Sequence, residues 1–193
     1  MNNLNCSMHR AEKEMLKTNE GKKFLTNFLA SEKLNLSSYN YKYDDIVSHV
    51  IEEYPIPKNV GLTKTGSQNI RTRYIDFIYI VSPGNSAVHR NECYSVGVEI
   101  KTSVSNLYND PLQILRYFGK TDYLFLCVPE AMKDEALRFV EWEDRIGVFI
   151  LETGQIVRFP DKQEVAAEWK DRLLYRALFA NPMLPLMRFK PVK

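Results

Sequence analysis

The sequence predicts an α/β (α+β) protein built on a mixed central β-sheet flanked by helices on both faces. Three observations carry this. Residues 73–81 and 93–101 are rich in β-branched and aromatic side chains and enclose a turn-rich segment, Ser82-Pro83-Gly84-Asn85-Ser86, as an antiparallel hairpin requires. Tyr123-Leu124-Phe125-Leu126-Cys127-Val128 is a continuous apolar run ended by Pro129, which suits a strand covered on both faces. The segments around these runs carry apolar residues at helical spacing, so the passage from Lys101 through a helix to Tyr123 reads as a right-handed βαβ step.

Taken in order, residues 11–34 combine Lys and Glu with Leu16, Phe24, Leu25, Phe28 and Leu29, a spacing for one or two amphipathic helices. Ile46, Val47, Val50, Ile51 and Tyr54 also recur at helical spacing, and Pro55 and Pro57 would stop that helix. On it, Glu53 would lie on or beside the apolar stripe and Glu52 away from it. After the hairpin, Asp110-Pro111 has the form of a helix start leading into Leu112, Leu115 and Phe118. Residues 131–142 read as a helix through Met132, Ala136, Phe139 and Val140. Residues 147–151 and 156–159 form a hairpin around Glu152-Thr153-Gly154-Gln155, and a last helix carries Val165, Trp169, Leu173 and Ala177.

The chain of 193 residues is expected to form a single domain over 1–193. Its 45% hydrophobic and 26% charged residues are those of a folded globular protein. No apolar run approaches the roughly 20 residues of a membrane helix, and the N-terminus has no signal-peptide pattern, so a cytoplasmic protein with no membrane partner is expected. Cys6, Cys93 and Cys127 are odd in number and far apart, which indicates neither a disulfide framework nor a zinc site; Cys93 and Cys127 fall in predicted strands. The net charge of +2 leaves nucleic-acid binding undecided. Local basic groups lie at Arg71-Thr72-Arg73, His89-Arg90 and Arg188 to Lys193, and a solvated surface is the ordinary role of such groups.

Two acids on the predicted hairpin carry the chemistry. Pairing Asp76 with Glu99 puts the hairpin midpoint between Ala87 and Val88, inside the turn-rich loop. Directly opposed residues of an antiparallel pair share a face, with Cβ atoms roughly 4.5 to 5.5 Å apart. Two like charges so placed are destabilising unless neutralised, and a divalent cation is a natural counter-charge. Lys101 returns to the face of Glu99 by strand alternation. Carboxylates that hold Mg2+ or Mn2+ and a nearby ammonium are the equipment of phosphodiester hydrolysis. An acid-x-Lys tripeptide arises by chance about once or twice in a chain of this size. Glu20-Gly21-Lys22 and Glu168-Trp169-Lys170 lie in helical pattern, where residues two apart do not share a face. Only Glu99-Ile100-Lys101 sits in an apolar strand behind another strand with an acid in register.

Tyr74-Ile75-Asp76, then Val98-Glu99-Ile100-Lys101, then a helix with Gln113, then the strand from Asp122 to Pro129 resembles the core of the PD-(D/E)xK nuclease superfamily. Glu99-Ile100-Lys101-Thr102-Ser103 and Asp122 to Pro129 look most like its MmcB-like DNA-repair branch. The resemblance covers residues 43–160, leaving 1–40 as an N-terminal helical extension and 163–193 as a C-terminal helix and tail. It implies a restriction-endonuclease-like core and a magnesium-dependent nuclease acting on DNA in repair, restriction or mobile-element processing. Asp76 and Glu99 match the metal-binding acids, the Ile100 carbonyl would complete the protein ligands, and Lys101 matches the catalytic lysine. Glu53 matches a helical acid of many members, and Gln113 a polar residue on the helix after the motif strand. Ile75 stands where the family pattern has proline, which leaves the carboxylate in place. Arg71, Arg73, Ser103 and Arg116 are the candidate nucleic-acid-binding side chains, although Arg116 would more often be a surface residue than part of a site. The partner implied is DNA, and a homodimer is left open.

Other readings stand beside this one. Asp76 and Glu99 could be structural acids at a polar strand end, and the same fold could serve as a catalytically silent nucleic-acid-binding module or a protein-binding scaffold. His49 and His89 have no partners at ligand spacing, and Ser95 and Ser103 lack a His/Asp relay. Neither Gly-x-x-x-x-Gly-Lys nor Gly-x-Gly-x-x-Gly occurs, which excludes the common phosphate-cradling loops.

Overall fold

A computed structural model of the chain describes residues 10–31, 46–56, 73–82, 94–109, 111–175 and 187–189. The predicted runs 73–81 and 93–101 form strands β2 (Arg73–Ser82) and β3 (Tyr94–Ile100). They pair antiparallel with Phe77 opposite Val98 and Val81 opposite Tyr94. Continued by one step, this register sets Asp76 opposite Glu99, as the hairpin midpoint predicted. The apolar run is β4 (Tyr123–Val128), buried along its whole length and parallel to β3. The second hairpin is β5 (Ile146–Ile150) and β6 (Ile156–Arg158), with β5 parallel to β4. Gly154 turns this hairpin at φ 66°, a left-handed conformation for which glycine is suited.

One expectation fails on the segment before the hairpin. Residues 46–56 are not a helix but strand β1 (Ile46–Ile56), antiparallel to β2. Ile46, Val47, Val50 and Ile51 fit both periods, and their β-branched side chains favour the pleated surface. Among the described residues β1 is paired on its second side over Ile46–Ser48, by β7 (Met187–Phe189), and Pro55 lies beyond that pairing, where a proline is tolerated. The tail thus contributes a strand where only a helix and a charged end were expected. Among the described residues seven strands make one mixed sheet in the order β6-β5-β4-β3-β2-β1-β7.

Helices cover both faces. On one, α1 (Arg10–Lys17) and α2 (Asn19–Leu29) bury Leu16, Phe24, Leu25 and Phe28 against Phe77, Tyr79, Val96, Val98 and Phe125. Phe24 stacks on Phe149 with ring centroids 3.9 Å apart. The buried Tyr79 hydroxyl donates to the Leu16 carbonyl at 2.8 Å and pins the end of α1 to the middle of β2. On the other face, α3 (Val104–Asn109), α4 (Leu112–Leu115), α5 (Lys133–Phe139) and α6 (Ala167–Tyr175) bury Leu107, Ile114, Ala136, Phe139 and Leu173 against Ile78, Ile80, Leu124 and Leu126. The crossover from β3 to β4 therefore contains two short helices in place of the one expected. Asp122 locks its far end: Ser95 N–H and Oγ–H both donate to Asp122 Oδ2 at 2.7 Å, and Lys170 of α6 donates to Oδ1 at 3.2 Å. No helix among the described residues is long and apolar enough to cross a membrane.

Candidate functional site

The strand pairing β2–β3–β4 brings the motif residues to one end of the sheet, where β3 finishes and the chain turns into α3. Lys101 follows the last residue of β3, and its N–H still donates to the Cys127 carbonyl of β4 at 3.0 Å. That bond fixes the backbone from which the lysine side chain departs. Lys101 Nζ lies 3.0 Å from Glu99 Oε1. The same ammonium donates to Gln113 Oε1 at 3.3 Å, and Gln113 Nε2 donates to Glu99 Oε1 at 2.9 Å. Glu99, Lys101 and Gln113 thus form a closed ring of polar contacts.

The ring rests on Tyr117, a buried side chain one helical turn beyond Gln113. Gln113 Nε2 donates to the Tyr117 hydroxyl at 2.7 Å, and that hydroxyl donates to the Tyr74 carbonyl at 2.7 Å. Burial, reinforced by the Glu99 charge, holds the Tyr117 phenol well above its ordinary range, so it stays a proton donor.

Asp76 joins from β2. Its Oδ2 accepts the Ile100 N–H at 2.9 Å, which binds it to the peptide unit directly after Glu99. Its Oδ1 lies 3.5 Å from the ammonium of Lys13 on α1. The two acids therefore lie at the adjoining ends of β2 and β3, but against the expectation that they share a face they draw their partners from helices on opposite faces of the sheet. Unbroken strand alternation would put both carboxylates on one face. Ile75 belongs to the same core cluster as Ile78 and Ile80, although alternation through Phe77 would send it to the other face. The break falls at Asp76, and the carboxylate turns toward the end of β3 and α1.

Glu99 is only 3% exposed, and its Oε2 is buried without a hydrogen-bond partner. Burial and then the Asp76 charge raise its carboxyl to about 8, against the lowering pull of Lys101. An unpartnered oxygen on an acid destabilised by a neighbouring acid is what a divalent cation relieves. Magnesium uses one or two carboxylates and keeps waters in its remaining positions, and Glu99 Oε2 is the oxygen here that such an ion could take without displacing a protein partner. Among the described residues no group of three or more acids, histidines and cysteines converges as a cage.

The remaining expected site residues divide. Glu53 lies on strand β1, not on a helix, between the pairs Glu52–Phe77 and Tyr54–Ile75 and hence level with Asp76. Ser103 caps α3: the Asn106 N–H donates to its hydroxyl at 3.3 Å and the Leu107 N–H to its carbonyl at 3.0 Å. Arg116 is exposed at the end of α4, and Arg73 opens β2 opposite Ile56. Arg71, His89, Cys6 and Cys93 lie outside the described residues, and Cys127 is buried in β4. Sequence reasoning missed Lys13 and Tyr117. Tyr117 was within reach, since it follows Gln113 at i+4. Lys13 gives no local signal.

No family model matches the chain, and no curated protein matches it. Among solved structures, a protein of unknown function from Silicibacter pomeroyi is similar over 86% of this chain and 88% of that chain, at 14% identity and a TM-score of 0.46.

Proposed function

We propose that this protein is a metal-dependent phosphodiesterase of the PD-(D/E)xK type that cleaves DNA, with a restriction-endonuclease-like core. The observation that carries the reading is the position of Lys101, 3.0 Å from a buried Glu99 whose second oxygen has no partner, beside an Asp76 bound to the intervening Ile100. Asp76 and Glu99 would hold Mg2+ or Mn2+, which supplies an acidified water and neutralises phosphate charge when bound. Lys101 presents an ammonium at the same spot, suited to steady a scissile phosphate or orient the attacking oxygen. Gln113 contacts both that ammonium and Glu99, and Tyr117 holds Gln113. The Ile100 carbonyl would complete the protein ligands, as the resemblance implies.

A second reading is a nucleic-acid-binding module without turnover. It is favoured by one observation: Lys13 lies beside Asp76 and Lys101 beside Glu99, so each carboxyl group already has an ammonium neighbour without a cation. Incubation of the purified protein with plasmid, linear and single-stranded DNA in Mg2+, Mn2+ or chelator separates the two. The nuclease reading expects cleavage that needs the cation and disappears in Glu99→Ala and Lys101→Ala. Cation-independent cleavage, or cleavage unchanged in both variants, rejects it. DNA retention without cleavage on every substrate supports the silent module.

A further inference from the structure

Lys13 lies on an element with no predicted chemistry, yet it is only 7% exposed. A buried ammonium is costly unless paired, and this one faces Asp76 Oδ1 at 3.5 Å. Its helix cannot easily withdraw it. Leu16, three residues on and on the same helical face, is fully buried, and its carbonyl is held by Tyr79. Gly21, just after the start of α2, approaches the Leu16 carbonyl so closely that a Cβ there would collide with it, which fixes the α1–α2 corner as well. Asp76 thus has one oxygen committed to Ile100 and the other covered by an ammonium delivered from a helix packed on the sheet.

We propose that Lys13 is the resident counter-charge of Asp76 and competes with a divalent cation for that carboxylate, so that α1 sets the cation concentration at which the site loads. This rests on the reading of Asp76 and Glu99 as cation ligands. A cation at Asp76 and an ammonium on the same oxygen repel each other and contend for the same lone pairs. Loading must therefore move the Lys13 ammonium off Oδ1, where its long stem lets it swing toward solvent or a bound phosphate. Removing the charge lowers the barrier to loading but also removes a cation that can follow the substrate.

The test is titration of Mn2+ into the full-length protein without DNA, followed by calorimetry, for wild type, Lys13→Met and Lys13→Arg. Lys13→Met keeps the apolar stem and should bind Mn2+ about tenfold more tightly at low ionic strength, whereas Lys13→Arg should stay near wild type. A second measurement needs no variant: acylation of Lys13 by an activated ester, read by peptide mass spectrometry, should rise as Mn2+ saturates the wild type. Equal or weaker Mn2+ binding by folded Lys13→Met, or Lys13 labelling indifferent to Mn2+ while the wild type binds it, overturns the competition and leaves the cation site standing. Absence of Mn2+ binding in all three proteins overturns the cation site and this inference with it.

Discussion

The Ile100 N–H donates to Asp76 Oδ2 at 2.9 Å, so the acid of β2 is tied to the backbone between the two other motif residues, Glu99 and Lys101. The bond gives Asp76 a structural role. It also couples the two halves of the motif: a shift of β2 against β3 would move the carboxylate away from Glu99 and the Ile100 peptide together.

Asp76→Ala should therefore lower stability as well as remove cleavage. It strands the Ile100 N–H and leaves the buried Lys13 ammonium without this carboxylate, a loss on the order of 2 kcal/mol. Urea unfolding of the purified variant, with the midpoint compared at equal slope, measures it. An unchanged midpoint would mean that the Asp76–Ile100 bond contributes nothing in solution.

Tyr117→Phe should slow cleavage without weakening DNA binding. The hydroxyl touches Gln113 and the Tyr74 carbonyl, so its removal costs about 1 kcal/mol of stability and lets Gln113 turn away from Glu99. A tenfold fall in kcat at constant KM is the expected split for a residue that acts through its neighbour. A rise in KM alone would place Tyr117 in substrate binding.

How much of this the sequence reveals depends on the range over which each signal acts. The β2–β3 register was legible because a turn-rich loop fixes the midpoint between two dense strand runs. Strand β1 was misread because Ile46, Val47, Val50 and Ile51 satisfy the helical period as well as the strand preference, and one of its two partner strands, β7, lies far along the chain. Helix α3 was missed because it buries only Leu107 and so shows no stripe. Gln113 was found through its place after the motif strand. Lys13 reaches Asp76 only because the Leu16–Tyr79 contact packs α1 against β2, which no local pattern encodes.

Asp122→Ala should destabilise the fold while sparing the site. Asp122 holds Ser95 twice and Lys170 once, at the opposite end of β3 from Glu99. Removing a buried acid with these partners costs about 3 kcal/mol, tempered by the partial exposure of Lys170. Residual folded protein at low temperature should keep wild-type Mn2+ affinity in calorimetry. Loss of that affinity with the fold intact would show that the two ends of the sheet are coupled.

Glu99 predicts how stability changes with pH. Its folded carboxyl titrates at about 8, well above the ordinary value of 4.5, because burial and the Asp76 charge disfavour the anion. Below 4.5 both folded and unfolded chains are protonated at this group, and its contribution is fully present. Between 4.5 and 8 the unfolded chain releases the proton that the folded chain keeps, so stability falls as pH rises through this window. Above 8 the folded chain ionises too, and the loss levels off at no more than a few kcal/mol. Glu99→Gln cannot ionise and should show a flatter profile of Tm against pH from 5 to 8.5, with the largest advantage over wild type at the alkaline end. Saturating Mg2+ should flatten the wild-type profile in the same way, because a cation at the unpartnered Oε2 favours the anion in the folded chain. Parallel profiles for the two proteins without metal would mean that Glu99 is not held in its protonated form. A Mg2+ effect that persists undiminished in Glu99→Gln would place the cation elsewhere.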